Sequence, residues 1–209
     1  HKRFPDRGDP SSARPSTPAE AGQWVAVPGD NPCSGSYGAP MANEAAVTVL
    51  AAQQRGLITR AQLTRLGFTK AMVGHRCRTG QWTALGRSLI ALGLAPTGLW
   101  GRATVASLAV PEGAISHRWA ALLHDLPGLW STESERRIMI GRRVDVSTGA
   151  GRGAPLPDHL VVHRRTRRPR SQHLGGVRVT TVPQTMLDLA AVLPEHAMDR
   201  VLDMSLAQG

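Results

Sequence analysis

The sequence is poor in cysteine and in long apolar runs, and each shortage excludes a class of protein. Only two of its 209 residues are cysteines, Cys33 and Cys77, too few and too far apart for a disulfide framework or a zinc cluster. No apolar run approaches the roughly 18 residues of a membrane helix, and the N-terminus has no signal-peptide pattern. We therefore expect a cytoplasmic protein with free thiols, no metal site and no cofactor.

Positive charge, in contrast, is in excess and is unevenly distributed. The formal net charge is +10. Residues 1–40 carry equal numbers of basic and acidic side chains, and residues 111–209 carry thirteen basic against ten acidic ones. Residues 41–110 carry eight basic side chains and a single acidic one, Glu44. The partner should therefore be a polyanion, which leaves nucleic acid, an acidic protein or a membrane surface, and its contact should lie in this middle segment.

The first forty residues are crowded with Pro, Gly, Ser and Asp and show neither helical nor strand periodicity. We expect disorder in residues 1–40. Because Met41 directly precedes the first periodic segment, this stretch is either an over-extended reading frame or a flexible natural tail.

Helical periodicity begins after Met41 and predicts three short helices. The first has Asn43 as its N-cap. The second starts with a capping box in which Thr59 is followed three residues later by Gln62. The third is capped by Thr69, which closes a short glycine-containing turn, and runs to about Thr79. Three helices with this turn are typical of a helix-turn-helix.

Two short apolar runs follow on either side of Gly86, as expected for a β-hairpin wing. Residues 41–95 are therefore predicted to form a winged helix-turn-helix that binds double-stranded DNA. Residues 96–209 alternate predicted helices and strands and should form a mixed α/β domain, so the predicted fold class is α+β.

The third helix should pack with one face and contact DNA with the other. At 100° per residue, Val73 and Cys77 share the packing face, with Met72 at its edge. The remaining exposed positions and the wing supply the predicted DNA-binding residues. These are Thr69, Lys70, His75, Arg76, Arg78, Thr79 and Arg87.

Two of these assignments have a structural alternative. Arg76 lies between Met72 and Val73 around the helix, so its guanidinium could instead satisfy backbone carbonyls or Glu44 while its stem packs. His75 could be an ordinary solvated surface residue.

In the second half, helices are predicted at Leu99–Val110 and after Ser116, and two more at the C-terminus. Strands are predicted at Ile138–Ile140, Leu160–Val162 and Val177–Thr181.

No catalytic constellation is recognised there. His117 and His124 have no carboxylate at ligand spacing. Ser116 and His117 should point in different directions at a helix start, with the serine as a cap rather than half of a catalytic dyad. The basic run Arg164–Arg170 is either a solvated loop or an extension of the phosphate-binding surface. We therefore expect a protein that is not an enzyme.

Four stretches, taken in order and spacing, resemble the AbiEi-type antitoxin family of actinobacterial type IV toxin-antitoxin systems. They are Gly56–Leu63, Arg76–Trp82, Ile115–Leu123 and Val179–Ala190. The resemblance implies a winged helix that binds promoter DNA, a following α/β domain and a cognate toxin protein as partner. Many relatives continue into an endonuclease domain similar to very-short-patch-repair nucleases.

The sequence departs from this family in two places. Ser88-Leu89-Ile90 stands where relatives usually have Gly-Val-Tyr in the wing. The Glu-x-Lys element expected of the nuclease is absent, since neither Lys2 nor Lys70 has an acid two residues before it. Three functions stay open: an autoregulating repressor, a DNA-targeting module for a nuclease domain missing here, and a module whose basic face binds an acidic toxin.

Overall fold

The computed structural model describes residues 42–149 and 158–207. These residues form a mixed α+β structure with eight helices and two sheets, all within one compact unit. The predicted extension 1–40, the proposed start at Met41 and Cys33 lie outside the described residues. Within the described part of the chain, no helix is both long and apolar enough to cross a bilayer.

The first half of this unit contains three helices and a three-stranded antiparallel sheet. In chain order its elements are α1 (Glu44–Gln53), β1 (Leu57–Thr59), α2 (Arg60–Arg65), α3 (Lys70–Arg78), β2 (Thr83–Leu85) and β3 (Leu89–Ala91). The strand order in the sheet is β1-β3-β2, so the last strand of the chain segment is the central one.

Each of the three helices starts where a side-chain cap is predicted. Asn43 Oδ1 accepts a hydrogen bond from the backbone N–H of Ala46, at 2.9 Å. Thr59 and Gln62 form the complete capping box, each side chain accepting from the other residue's backbone N–H. Because capping depends on near neighbours in the chain, these starts are readable from the sequence.

The second half contains five helices and a five-stranded mixed sheet. Its elements are α4 (Leu99–Ala109), β4 (Ala114–Ile115), α5 (His117–Leu123), α6 (Glu133–Gly141), β5 (Val144–Gly149), β6 (Leu160–Arg165), β7 (Ser171–Leu174), β8 (Val177–Thr180), α7 (Val182–Ala190) and α8 (Glu195–Ala207).

The strand order of this sheet is β6-β5-β4-β8-β7. β5 and β6 are parallel, as are β4 and β8, whereas the β4–β5 and β7–β8 pairs are antiparallel. Trp119 of α5, fully buried at the centre of the core, packs with Ile115, Val144 and Val179 from the strands. The sheet therefore owes its stability to burial against α4 and α5.

The strand prediction at Ile138–Ile140 is wrong, because these residues lie in α6. Thr132 caps this helix by accepting from the backbone N–H of Glu135, and the Glu135 carboxylate accepts from the N–H of Ser131. Of the three apolar residues only Met139 is buried, and Ile138 is 61% exposed, because consecutive residues of a helix point in different directions. The cap at Thr132 and the burial of Met139 both stabilise the helix here.

The three-stranded sheet is covered on both faces. Ile58 and Ile90, which pair across β1 and β3, pack against the helices of the first half. Leu89 and Ala91 point to the other face, where they pack with Val105 of α4. Since successive side chains of a strand alternate between faces, β3 contributes to two cores at once.

A second contact joins the two halves at the β7–β8 hairpin. Its two-residue turn is Gly175-Gly176, and both glycines have positive φ, as this tight turn requires. A Cβ atom on Gly175 would lie 2.4 Å from the Trp100 ring, so any larger residue at position 175 would clash with the ring. Arg55 donates to the Gly175 carbonyl at 3.3 Å and lies over the Trp100 ring, 5.5 Å from its centroid.

Candidate nucleic-acid interface

The candidate interface is built on α3 and on the turn between β2 and β3. The Thr69 hydroxyl oxygen accepts from the backbone N–H of Met72, which starts the helix immediately after a turn with Gly67 at φ 85°. Val73 is buried against Val47, Ile58 and the other residues of the helical core. The inward face of α3 is therefore the predicted one.

Most predicted contact residues are exposed, as a surface that binds a macromolecule requires. Those with exposed side chains are Thr69, Lys70, His75, Arg78, Thr79 and Arg87. Arg78 Nη1 lies 3.4 Å from the position of a Cβ on Gly74, so the guanidinium extends back along the outer surface of α3. Arg87 lies in the three-residue turn of the β2–β3 hairpin. The structure thus brings a helix face and a hairpin turn together on one small scaffold.

Arg76, in contrast, is engaged within the protein. Its guanidinium donates to both carboxylate oxygens of Glu44 at the start of α1. It also lies over the Phe68 and Trp82 rings, 5.1 Å and 4.7 Å from their centroids. The side chain is 24% exposed. These contacts favour the structural alternative for Arg76, which joins α1, the turn before α3 and the segment after it.

Glu44 is the only acidic residue between positions 42 and 110, and its carboxylate is paired with Arg76. Its hydrogen bonds with Arg76 lower the pKa of the Glu44 carboxyl, so the pair stays ionised at neutral pH. The other basic side chains of this segment form no ion pair among the described residues. The surface around α3 and the hairpin therefore carries uncompensated positive charge.

The basic run Arg164–Arg170 is partly compensated. Arg165 donates to the buried carboxylate of Asp188 at 2.5 Å, and Arg168 donates to Glu112 at 2.5 Å. Two of its guanidiniums thus hold structural contacts in the second half of the chain. Two arginines of this run are paired with carboxylates, whereas the exposed basic side chains of α3 form no ion pair among the described residues.

The expectation that Ser116 and His117 point apart is wrong. Ser116 Oγ and His117 Nδ1 are 2.9 Å apart, and Ser147 Oγ donates to Ser116 Oγ at 2.9 Å. The cause is the backbone of His117, whose φ of 51° turns its side chain back toward the serine. The Ser116 side chain consequently makes no cap hydrogen bond, contrary to its predicted role.

His117 continues this polar network through the sheet. Its ring stacks on that of His163 with centroids 3.8 Å apart, and His163 Nε2 lies 2.9 Å from Asp145 Oδ1. Ser116 is completely buried and His117 nearly so. Sequence reasoning missed His163 and Asp145, because the fold brings their parallel strands together and no short sequence pattern shows this.

No group of three or more His, Cys, Asp or Glu side chains is placed to hold a metal ion among the described residues.

The chain matches no protein-family model, and no curated protein sequence matches it either.

Replacing Arg76 should destabilise the protein more than replacing Glu44. In the Arg76→Met variant both the ion pair and two ring contacts are lost, whereas Glu44→Gln removes only the charge of the partner. We expect Arg76→Met to cost about 1–3 kcal/mol, since an exposed ion pair contributes about 0.2–1 and each of the two cation–π contacts about 0.5–1. Urea denaturation of both variants gives these values. A larger effect of Glu44→Gln would show that the rings contribute nothing.

Stability should fall as the pH is lowered through the range in which histidine titrates. Burial, then the charge of His163, lowers the pKa of His117 below its ordinary value of 6.5, while Asp188 and Asp145 act against this and Arg165 adds to it. The unfolded chain therefore binds this proton more readily. The stabilisation is complete above pH 6.5 and is lost as the pH falls below it toward the folded-state pKa.

His117→Asn provides the matched variant for this test, because asparagine tolerates positive φ and its amide oxygen can accept from Ser116 without titrating. The free energy of unfolding, measured from pH 8 downward, should depend less on pH in the variant. A residual fall is expected, since burial also lowers the pKa of His159. Identical pH profiles for the two proteins would contradict the assignment to His117.

Proposed function

We propose that this chain is a DNA-binding protein in which residues 42–95 form a winged helix-turn-helix. The observation that carries the proposal is the exposed face of α3. Lys70, His75 and Arg78 are exposed on this helix while Val73 is buried, and the single carboxylate of the segment is already paired with Arg76. A helix of this kind fits the major groove of B-DNA.

The order of elements supports this assignment. Helix, strand, two helices and a two-stranded hairpin follow one another, with the first strand pairing with the last. The turn between α2 and α3 is short and contains Gly67 in a left-handed conformation. The hairpin between β2 and β3 would be the wing, and it is a short one because only Gly86, Arg87 and Ser88 separate its strands.

Hydrogen-bonding capacity divides the predicted contact residues into two groups. The Thr69 hydroxyl accepts from Met72 but keeps its own proton, which can be donated to a phosphate oxygen. The Thr79 hydroxyl donates to the Arg76 carbonyl at 3.2 Å, so it has no proton left to donate. We therefore place the phosphate contacts at Thr69, Lys70, Arg78 and Arg87, leave His75 for base edges or phosphates, and remove Arg76 and Thr79.

The finer proposal follows from the resemblance to AbiEi-type antitoxins. We propose an autoregulating repressor that binds its own promoter and whose partner is a toxin encoded beside it. In this proposal the chain is not an enzyme. The burial of the Ser116 hydroxyl favours a structural role for the Ser116–His117 pair over a catalytic one. The second candidate function is a DNA-targeting module for a separate nuclease. It would use the same surface, but the neighbouring gene would then encode the nuclease rather than a toxin.

Replacing Lys70, Arg78 or Arg87 by Ala should weaken DNA binding and its dependence on salt. If each side chain neutralises one phosphate, its loss should reduce the slope of log affinity against log salt by about 0.9. Fluorescence anisotropy with a DNA duplex at several salt concentrations gives this slope. Arg137→Ala is the matched control, since Arg137 is an exposed arginine of α6 that is 78% exposed and lies outside the interface.

Val73→Asp serves as the folding control, because a charge on the buried face of α3 should unfold the first half and abolish binding with a loss of circular dichroism. Unchanged affinity and slope in all three folded variants would contradict the proposed interface. That outcome would favour a basic surface that binds an acidic protein.

A further inference from the structure

A cavity of about 540 Å³ lies between the β2–β3 hairpin and α4. Leu85 and Gly86 of the hairpin form one wall, and Pro96 and Val105 form another. Its volume falls within the range of roughly 300–1,000 Å³ that is typical of small-molecule sites. An occupant would touch the same hairpin that carries Arg87.

Arg102 brings a positive charge to this cavity. One guanidinium nitrogen donates to the Arg142 carbonyl at 2.7 Å, and the group lies 5.6 Å from the centroid of the Trp119 ring. Among the described residues it has no carboxylate partner. Partial burial lowers its pKa, which reflects the cost of holding the charge away from water. A half-buried cation of this kind is stabilised by an anion.

His159 supplies a second unsatisfied group. Its Nε2 atom is buried and has no hydrogen-bond partner in the described part of the chain. Burial, then the positive charge of Arg102, lowers the pKa of His159, so the ring is neutral and close enough to Arg102 to sense it. One cation, Arg102, and a neutral imidazole therefore line one mostly apolar cavity.

We propose that this cavity binds a small apolar carboxylic acid. The carboxylate accepts hydrogen bonds from the Arg102 guanidinium, and the hydrocarbon part packs on Leu85, Pro96 and Val105. Asp158 is exposed among the lining residues, and its negative charge opposes a doubly charged anion more strongly than a singly charged one. A monocarboxylate therefore fits these groups better than a phosphate ester does.

Calorimetric titration of the full chain with 1-naphthylacetate, in the absence of DNA, tests this site independently of the proposed DNA binding. The neutral isostere 1-naphthylacetamide is the matched ligand. We expect the acid to bind with a Kd below about 1 mM and the amide to bind at least about tenfold more weakly. No heat from the acid, or equal affinity for the two ligands, would overturn the proposal.

Two variants place the binding in this cavity. Arg102→Gln removes the charge and should weaken binding of the acid by at least about tenfold, whereas Arg137→Gln on α6 should not. Ala95→Trp places a large ring at an exposed part of the wall and should block the cavity without removing a core side chain. Circular dichroism identifies any variant that fails to fold. Undiminished binding of the acid to folded Ala95→Trp would contradict the site.

Discussion

The structure depends on a three-stranded sheet that must be buried on both faces. The central strand β3 alternates Leu89, Ile90 and Ala91, and all three side chains are excluded from water. Ile90 packs on the three helices, while Leu89 and Ala91 pack against Val105 of α4. This strand therefore fixes the helical layer with respect to the second half of the chain. It leaves the outer face of α3 and the hairpin turn as the free surface.

The two halves differ in which charged side chains form ion pairs. In the first half, the single carboxylate of residues 42–110 is used to hold Arg76 over the Phe68 and Trp82 rings. In the second half, Asp188 and Glu112 pair with Arg165 and Arg168. The basic side chains of α3 and the hairpin other than Arg76 lie outside these ion pairs, and the proposed DNA contact lies there.

Local signals predicted much of the first half and less of the second. The caps at Asn43, Thr59 and Thr69 depend on residues within one helical turn, so helix starts were found correctly. The contacts at Ser116 and His117 depend on a positive φ and on strands brought together by the fold, which no short pattern contains. The cavity was equally hidden, because its walls come from three separated segments of the chain.

The most direct measurement of the central claim is an NMR titration of the isotopically labelled protein with a short DNA duplex at low salt. The account predicts amide shift changes concentrated in residues 69–79 and in the hairpin turn 86–88, with the buried strands β1 and β3 nearly unchanged. Shift changes confined to the basic run Arg164–Arg170, or absent altogether at α3, would contradict it.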